Sequence, residues 1–326
     1  MADVFIVGSP RSGTSWLRTL LAGHPTLASP HELHLFERYL IPADRAWRHE
    51  MAALECRLAA GLSSAAGLVS LLDHDALQAW MRDLYRRSRE AALARKPGAT
   101  RMLEKTPNNA RHLELVRAIV PGVRIVHLVR DPRDVVASML EKSRRPFGDW
   151  APNDVERATN SWRAHVGCAM RDARPEDTLR VHYEDLREDP TKTLTRLAEF
   201  LGLEGPVETW LVGDPAVPAF QRAHEVTVER LDSIVTATAL RAEIGAPTTL
   251  RLSRTARWYV ESRCATEMEP LGYTPSIWKR DRHQPLWALA SAVDLGARRL
   301  TRGLGAARAR SLSRQRSPPR PGIASS

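Results

Sequence analysis

Three cysteines in 326 residues, Cys56, Cys168 and Cys264, are too few and too scattered for a disulfide framework. No CxxC pair and no Cys/His ligand spacing occurs, so a structural zinc site is not expected. No apolar run reaches the ~18–20 residues that would span a bilayer. The first strand pattern begins at Asp3 and leaves no room for a signal peptide, so the expected compartment is the reducing cytoplasm. Acid is missing from one end. Residues 295–326 hold eight arginines and no Asp or Glu, so of the net charge of +10 only +2 belongs to residues 1–294. The basic excess is a property of that tail and does not mark the body as a nucleic-acid binder. With 43% hydrophobic and 26% charged residues, the rest is ordinary globular material.

Short apolar runs alternate with helical patterns, which predicts βα units and a parallel sheet: an α/β, three-layer fold with helices on both faces. Strands are expected at Asp3–Gly8, Met102–Lys105, Arg124–Val129 and Thr178–Tyr183. Helices are expected at about Thr14–Ala22, Asn108–Val120, Asp131–Lys142, Asn153–Arg174, Thr191–Leu201 and Arg251–Met268, with two or three more within 44–96. Residues 205–250 carry no clear pattern. Trp287–Leu300 reads as a basic amphipathic helix, compatible with peripheral membrane contact, and the last ~20 residues read as disordered.

Two stretches carry the chemistry. The first, VFIVGSPRSGTSWLRTLL (4–21), is a buried strand, a glycine-bracketed turn and a helix start. It lacks the lysine of the Walker pattern; Thr14 stands there and the cation is Arg11. Backbone N–H groups from Arg11 through Ser12, Gly13, Thr14 and Ser15 would face an anion at a helix N-terminus, with two hydroxyls and one guanidinium to help. The second, RIVHLVRDPRDVVASML (124–140), ends a strand at Val129 and starts a helix at Pro132, with Asp131 as its cap and Asp134 completing a capping pattern. Arg130 and Ser138 would hold a second anion at the carboxyl end of that strand. No acidic metal partner stands out, so no metal is expected.

Together these stretches resemble the PAPS-dependent sulfotransferases, in the arginine-loop branch that includes protein-tyrosine, carbohydrate and bacterial members. A third stretch, LRVHYEDLREDPTKTLTRLAEFLGL (179–203), resembles that branch's Tyr-Glu-Asp-Leu segment. The resemblance implies a P-loop-like domain over residues 1–280, followed by the basic tail at 281–326. It implies PAPS as co-substrate and PAP as product. Arg11, Ser12, Gly13, Thr14 and Ser15 would hold the phosphosulfate; Arg130 and Ser138 would hold the 3′-phosphate, helped by Lys142; and Tyr183 would contact the nucleotide. Glu32, in SPHELHLF, matches the branch's catalytic glutamate, with His31, His34 and the more distant His74 as alternative bases. Lys105, in LEKTPNN, would steady charge on the leaving group. The acceptor would be a small molecule, carbohydrate or lipid, with no specific nucleic acid. A P-loop kinase or NTPase, and a catalytically silent nucleotide-binding protein, are the competing readings.

Overall fold

The computed structural model describes residues 2–62, 67–146, 148–207 and 250–276. The chain divides into two compact units, residues 1–250 and 251–326. In the first, five parallel strands form one sheet in the order β2-β3-β1-β4-β5: β1 Val4–Gly8, β2 Leu27–Ala28, β3 Arg101–Lys105, β4 Arg124–Val129 and β5 Thr178–His182. β1 is central, with Val4 opposite Leu103 on one side and Arg124 on the other.

β1 and β3 are buried along their whole length. A parallel strand covered on both faces cannot alternate apolar with polar, which is why VFIVG is a continuous apolar run. Phe5 and Val7 pack in one core with side chains of α2 (Ile41–Ala59), α3 (His74–Leu93) and α4 (Leu113–Ile119). Val4 and Ile6 face the other core, built from α1 (Thr14–Ala22), α7 (Tyr183–Glu188) and α8 (Pro190–Leu201). Helices α5 (Pro132–Lys142) and α6 (Val155–Arg171) also belong to this unit. In the second unit, α9 (Arg254–Met268) is capped by Ser253, whose Oγ accepts from the Ala256 N–H at 3.2 Å.

This is the α/β sheet with helices on both faces that the patterns predict. The differences are local in extent. The helix expected over 108–120 is two pieces, a 3₁₀ turn at Pro107–Arg111 and then α4, because His112 takes an extended φ of −143° between them. The strand expected to run to Tyr183 stops at His182, and Tyr183 opens α7. β2 is two residues long, too short to leave a pattern. A π-turn at Phe36–Leu40 runs directly into α2. Asp134 does not complete a capping box: the Asp131 N–H that it would have accepted is donated instead to Glu184 Oε1 at 3.1 Å. Most of the region 205–250, the Trp287–Leu300 helix and the terminal tail lie outside the described residues. Among the described residues no helix is long and apolar enough to cross a membrane.

Candidate active site

Every side chain in question follows the carboxyl end of a strand or lies on a helix that starts there. The strand order reverses beside β1, which opens the crevice where open α/β sheets hold their ligands. The loop after β1 is shaped by two glycines. Gly13 has φ +93°, and a Cβ there would stand 2.5 Å from the Tyr183 ring, so the position demands glycine twice over. Gly8 has no room for a Cβ either, with the Leu128 carbonyl oxygen at 2.3 Å. Arg11 adopts φ +70°, a left-handed backbone rarely taken by side-chain-bearing residues. Gly13 caps α1 with no side-chain hydrogen bond, so the cap residue itself leaves the positive end of that helix uncovered.

The two predicted anion positions are in contact. Arg11 Nε donates to Ser138 Oγ at 3.1 Å, so this guanidinium reaches across from the β1 loop to α5. Arg130 donates from its guanidinium to the Arg11 carbonyl at 3.4 Å and stacks on Tyr183, 4.2 Å from the ring centre. The indole N–H of Trp162 holds the Arg130 carbonyl at 3.0 Å. Arg130 Nε and Ser12 Oγ are both buried and have no hydrogen-bond partner among the described residues. Buried donors left open in this way beside a glycine cradle fit an oxyanion. Lys142 lies four residues beyond Ser138 on α5, about 6 Å further along the axis, at the far end of the helix.

A second cluster is built on β3. Lys105 is 3% exposed, a state lysine takes only when paired. Its ammonium contacts Glu32 Oε1 and donates to Ser15 Oγ at 3.1 Å, which ties β3 to the first turn of α1. Burial raises the Glu32 carboxyl, but Lys105, with His34 and His31, outweighs it and holds the group below its ordinary value. Burial lowers Lys105 against the opposing pull of Glu32. The direct contact favours the ionised pair.

Three residues here escaped the sequence reading. Arg18, on the α1 face of Thr14 and Ser15, is half-buried, donates to the Pro30 carbonyl at 3.3 Å and acts electrostatically on Glu32. Its spacing of three and four from the loop hydroxyls was a usable signal. Glu104 is 2% exposed and accepts from the Thr106 hydroxyl at 2.5 Å, the Thr106 N–H at 3.1 Å and Asn109 Nδ2 at 2.7 Å. Burial outweighs those donors and pushes its carboxyl up to about 7. Glu184 ties α7 to the start of α5, as described above. Of the alternative bases, His34 Nε2 lies 3.4 Å from Glu32 Oε2, His31 is exposed, and His74 contacts Asp44 and Trp47 on α2.

Fold and site together define a P-loop-like α/β protein with groups whose chemistry suits an oxyanion at the carboxyl ends of β1 and β4 and an ion pair at the end of β3. The chain belongs to the sulfotransferase family, whose model matches residues 3–207, a span that contains every residue of the site. It is 24% identical over 203 residues to a putative protein-tyrosine sulfotransferase of Caenorhabditis briggsae, covering 62% of this chain and 65% of that one. It is 25% identical over 208 residues to protein-tyrosine sulfotransferase 1 of Danio rerio, covering 62% and 54%. The chain thus matches less than two thirds of the length of these relatives. Among solved structures, the sulfotransferase domain from the curacin biosynthetic pathway shares the fold, with a TM-score of 0.51 at 21% identity over 84% of this chain and 99% of that one.

Proposed function

We propose that the chain transfers a sulfuryl group from PAPS to an acceptor hydroxyl or amine. PAPS carries two separated anionic groups, and its phosphosulfate supplies the group to be moved. The observation that carries the reading is the pairing of an uncapped helix N-terminus at Gly13 with the Arg11, Arg130, Ser138 and Tyr183 cluster, which offers two oxyanion positions side by side. Ser12, Thr14 and Ser15 complete the donors of the first; Lys142 would help at the second. Glu32 takes the proton from the acceptor as its oxygen or nitrogen bonds to sulfur. Lys105, adjacent to both Glu32 and Ser15, steadies the negative charge that builds on the phosphate oxygen as the S–O bond breaks. Sulfuryl transfer resembles phosphoryl transfer in relying on positioning and charge stabilisation.

The relatives named for protein-tyrosine sulfation put a tyrosine hydroxyl among the acceptors to test, beside small molecules, carbohydrates and lipids. We place the activity in the cytoplasm, in a domain reaching to about residue 280, with the basic tail as an appendage. Titration calorimetry of the chain with PAP and with ATP–Mg²⁺ tests the donor: PAP binding is expected, and binding of ATP–Mg²⁺ with none of PAP would favour a kinase. Incubation with labelled PAPS and an acceptor extract, followed by a mass search for products heavier by one SO₃, tests transfer. A Glu32→Gln variant that binds PAP and keeps full turnover would remove Glu32 as the base.

A further inference from the structure

A carboxylate that takes a proton in each turnover must lose it before the next. With Glu32 as the base proposed above, we propose that His34 is its proton outlet, oriented by Glu37. The Oε1 of Glu32 is occupied by Lys105, and Oε2 faces His34 Nε2 at 3.4 Å. On the opposite edge of the ring, His34 Nδ1 lies 3.1 Å from Glu37 Oε2. An ionised carboxylate only accepts, so Glu37 keeps the ring proton on Nδ1 and leaves the Nε2 lone pair turned toward Glu32. Two lone pairs then face each other across a gap that one proton fills.

The backbone supports a built arrangement. His34 has φ +50°, a left-handed conformation that is strained for a non-glycine residue, and such outliers gather at functional sites. Its N–H is donated to Thr106 Oγ1 at 3.4 Å, and Thr106 is anchored in turn on the buried Glu104. Side-chain exposure rises from 24% at Glu32 to 29% at His34 and 43% at Glu37, which orders the three from site to solvent. The balance is simple. The acceptor proton passes to Glu32, then to His34 Nε2, and the imidazolium, neutralised by Glu37, releases one proton to water. No oxidant or co-reactant is needed. The charged groups around the relay are Glu32, Glu37 and His31 on its own segment and Lys105 on β3. His112 and His165 lie within electrostatic reach of Glu37, and Arg111 within reach of both.

The test uses the full chain and PAPS alone, with water as acceptor and PAP release as the readout. His34→Gln is expected to keep the PAP Kd within about twofold and to lower kcat about tenfold, below the usual range for a general base because the residue acts through Glu32. Added imidazole is expected to restore part of that loss, and to do nothing for Glu32→Gln. Glu37→Gln is expected to lower kcat about threefold, and it serves if His34→Gln does not fold. An independent readout is the His34 ring ¹⁵N spectrum: the Nδ1–H tautomer is expected. Wild-type turnover abolished in Glu32→Gln but untouched in both His34→Gln and Glu37→Gln would overturn the outlet alone. Wild-type protein that releases no PAP, or a Glu32→Gln variant that turns over normally, would overturn the base and the outlet together. An Nε2–H tautomer would overturn the outlet whatever the turnover.

Discussion

Helices α1 and α5 both leave the carboxyl end of a central strand, yet their first turns are finished in opposite ways. α1 begins at Gly13 with no side-chain cap and carries no acid in its first turn. α5 begins at Asp131, whose carboxylate accepts from the Arg133 N–H at 2.8 Å, and Asp134 adds a second acid. A helix N-terminus attracts anions through its unpaired N–H groups and partial positive charge. At α5 the chain's own carboxylate already holds that place. An anion beside α5 must therefore be held by side chains, and Arg130, Ser138 and the incoming Arg11 are the ones that converge there. In the proposed PAPS complex the backbone would cradle one charge of the ligand and side chains would grip the other.

The sharpest way to break this contrast is Gly13→Ala. Left-handed strain and collision with the Tyr183 ring are expected to cost about 3 kcal/mol of stability and to remove PAP binding, as read by urea denaturation and calorimetry. Retention of wild-type PAP affinity would show that the backbone cradle is not the anion site. Next comes Arg130→Ala. Losing a charge-assisted contact of about 2 kcal/mol should weaken PAP about 30-fold. Adenosine 5′-phosphosulfate, which has no 3′-phosphate, should lose much less; equal losses for both would erase the proposed division of labour. Ser138→Ala should weaken PAP about fivefold, or about 1 kcal/mol, because it removes one hydroxyl and the contact that holds Arg11 across the gap.

Asp131→Ala tests the other half of the contrast. Loss of the cap should cost about 1 kcal/mol in denaturant stability and leave PAP affinity level. A large gain in affinity would mean that the α5 terminus accepts the anion once its own carboxylate is gone. The smallest effect concerns pH. The Glu32 carboxyl is depressed in the folded state from 4.5, so its pairing with Lys105 stabilises the fold above that value and the contribution is lost as pH falls through the depressed one. Glu32→Gln should therefore flatten the acid limb of the stability curve, measured by denaturant midpoints below pH 4.5.

The Walker lysine missing from the loop has a counterpart in space. Lys105 reaches Ser15 from the neighbouring strand, so the cation comes from β3 and not from α1. The LEKTPNN segment made Lys105 a candidate, but nothing in it announced that the side chain would be buried. That depends on β3 lying between β1 and β2 with Glu32 arriving from the loop after β2. Arg11 is similar. As a loop cation it was legible, whereas its reach to Ser138, 127 residues away, was not. The limits of α1, β4 and α5 were readable because local chemistry sets them: glycine at a positive φ, a continuous apolar run, an Asp-Pro helix start. The surrender of the Asp131 N–H was not, because Glu184, 53 residues away, takes it, and neither were the break at His112 and the turn into α7 at Tyr183.

By itself, then, the chain's order of residues determined the parallel α/β architecture, the glycine loop and the residue types that handle oxyanions, because periodicity, backbone sterics and side-chain charge act over a few neighbours. Only the tertiary structure decided which of those residues meet. The 2-3-1-4-5 strand order carries the loops after β1, β2, β3, β4 and β5 to one edge of the sheet, and there burial and direct contact turn separate arginines, a lysine and a carboxylate into one site.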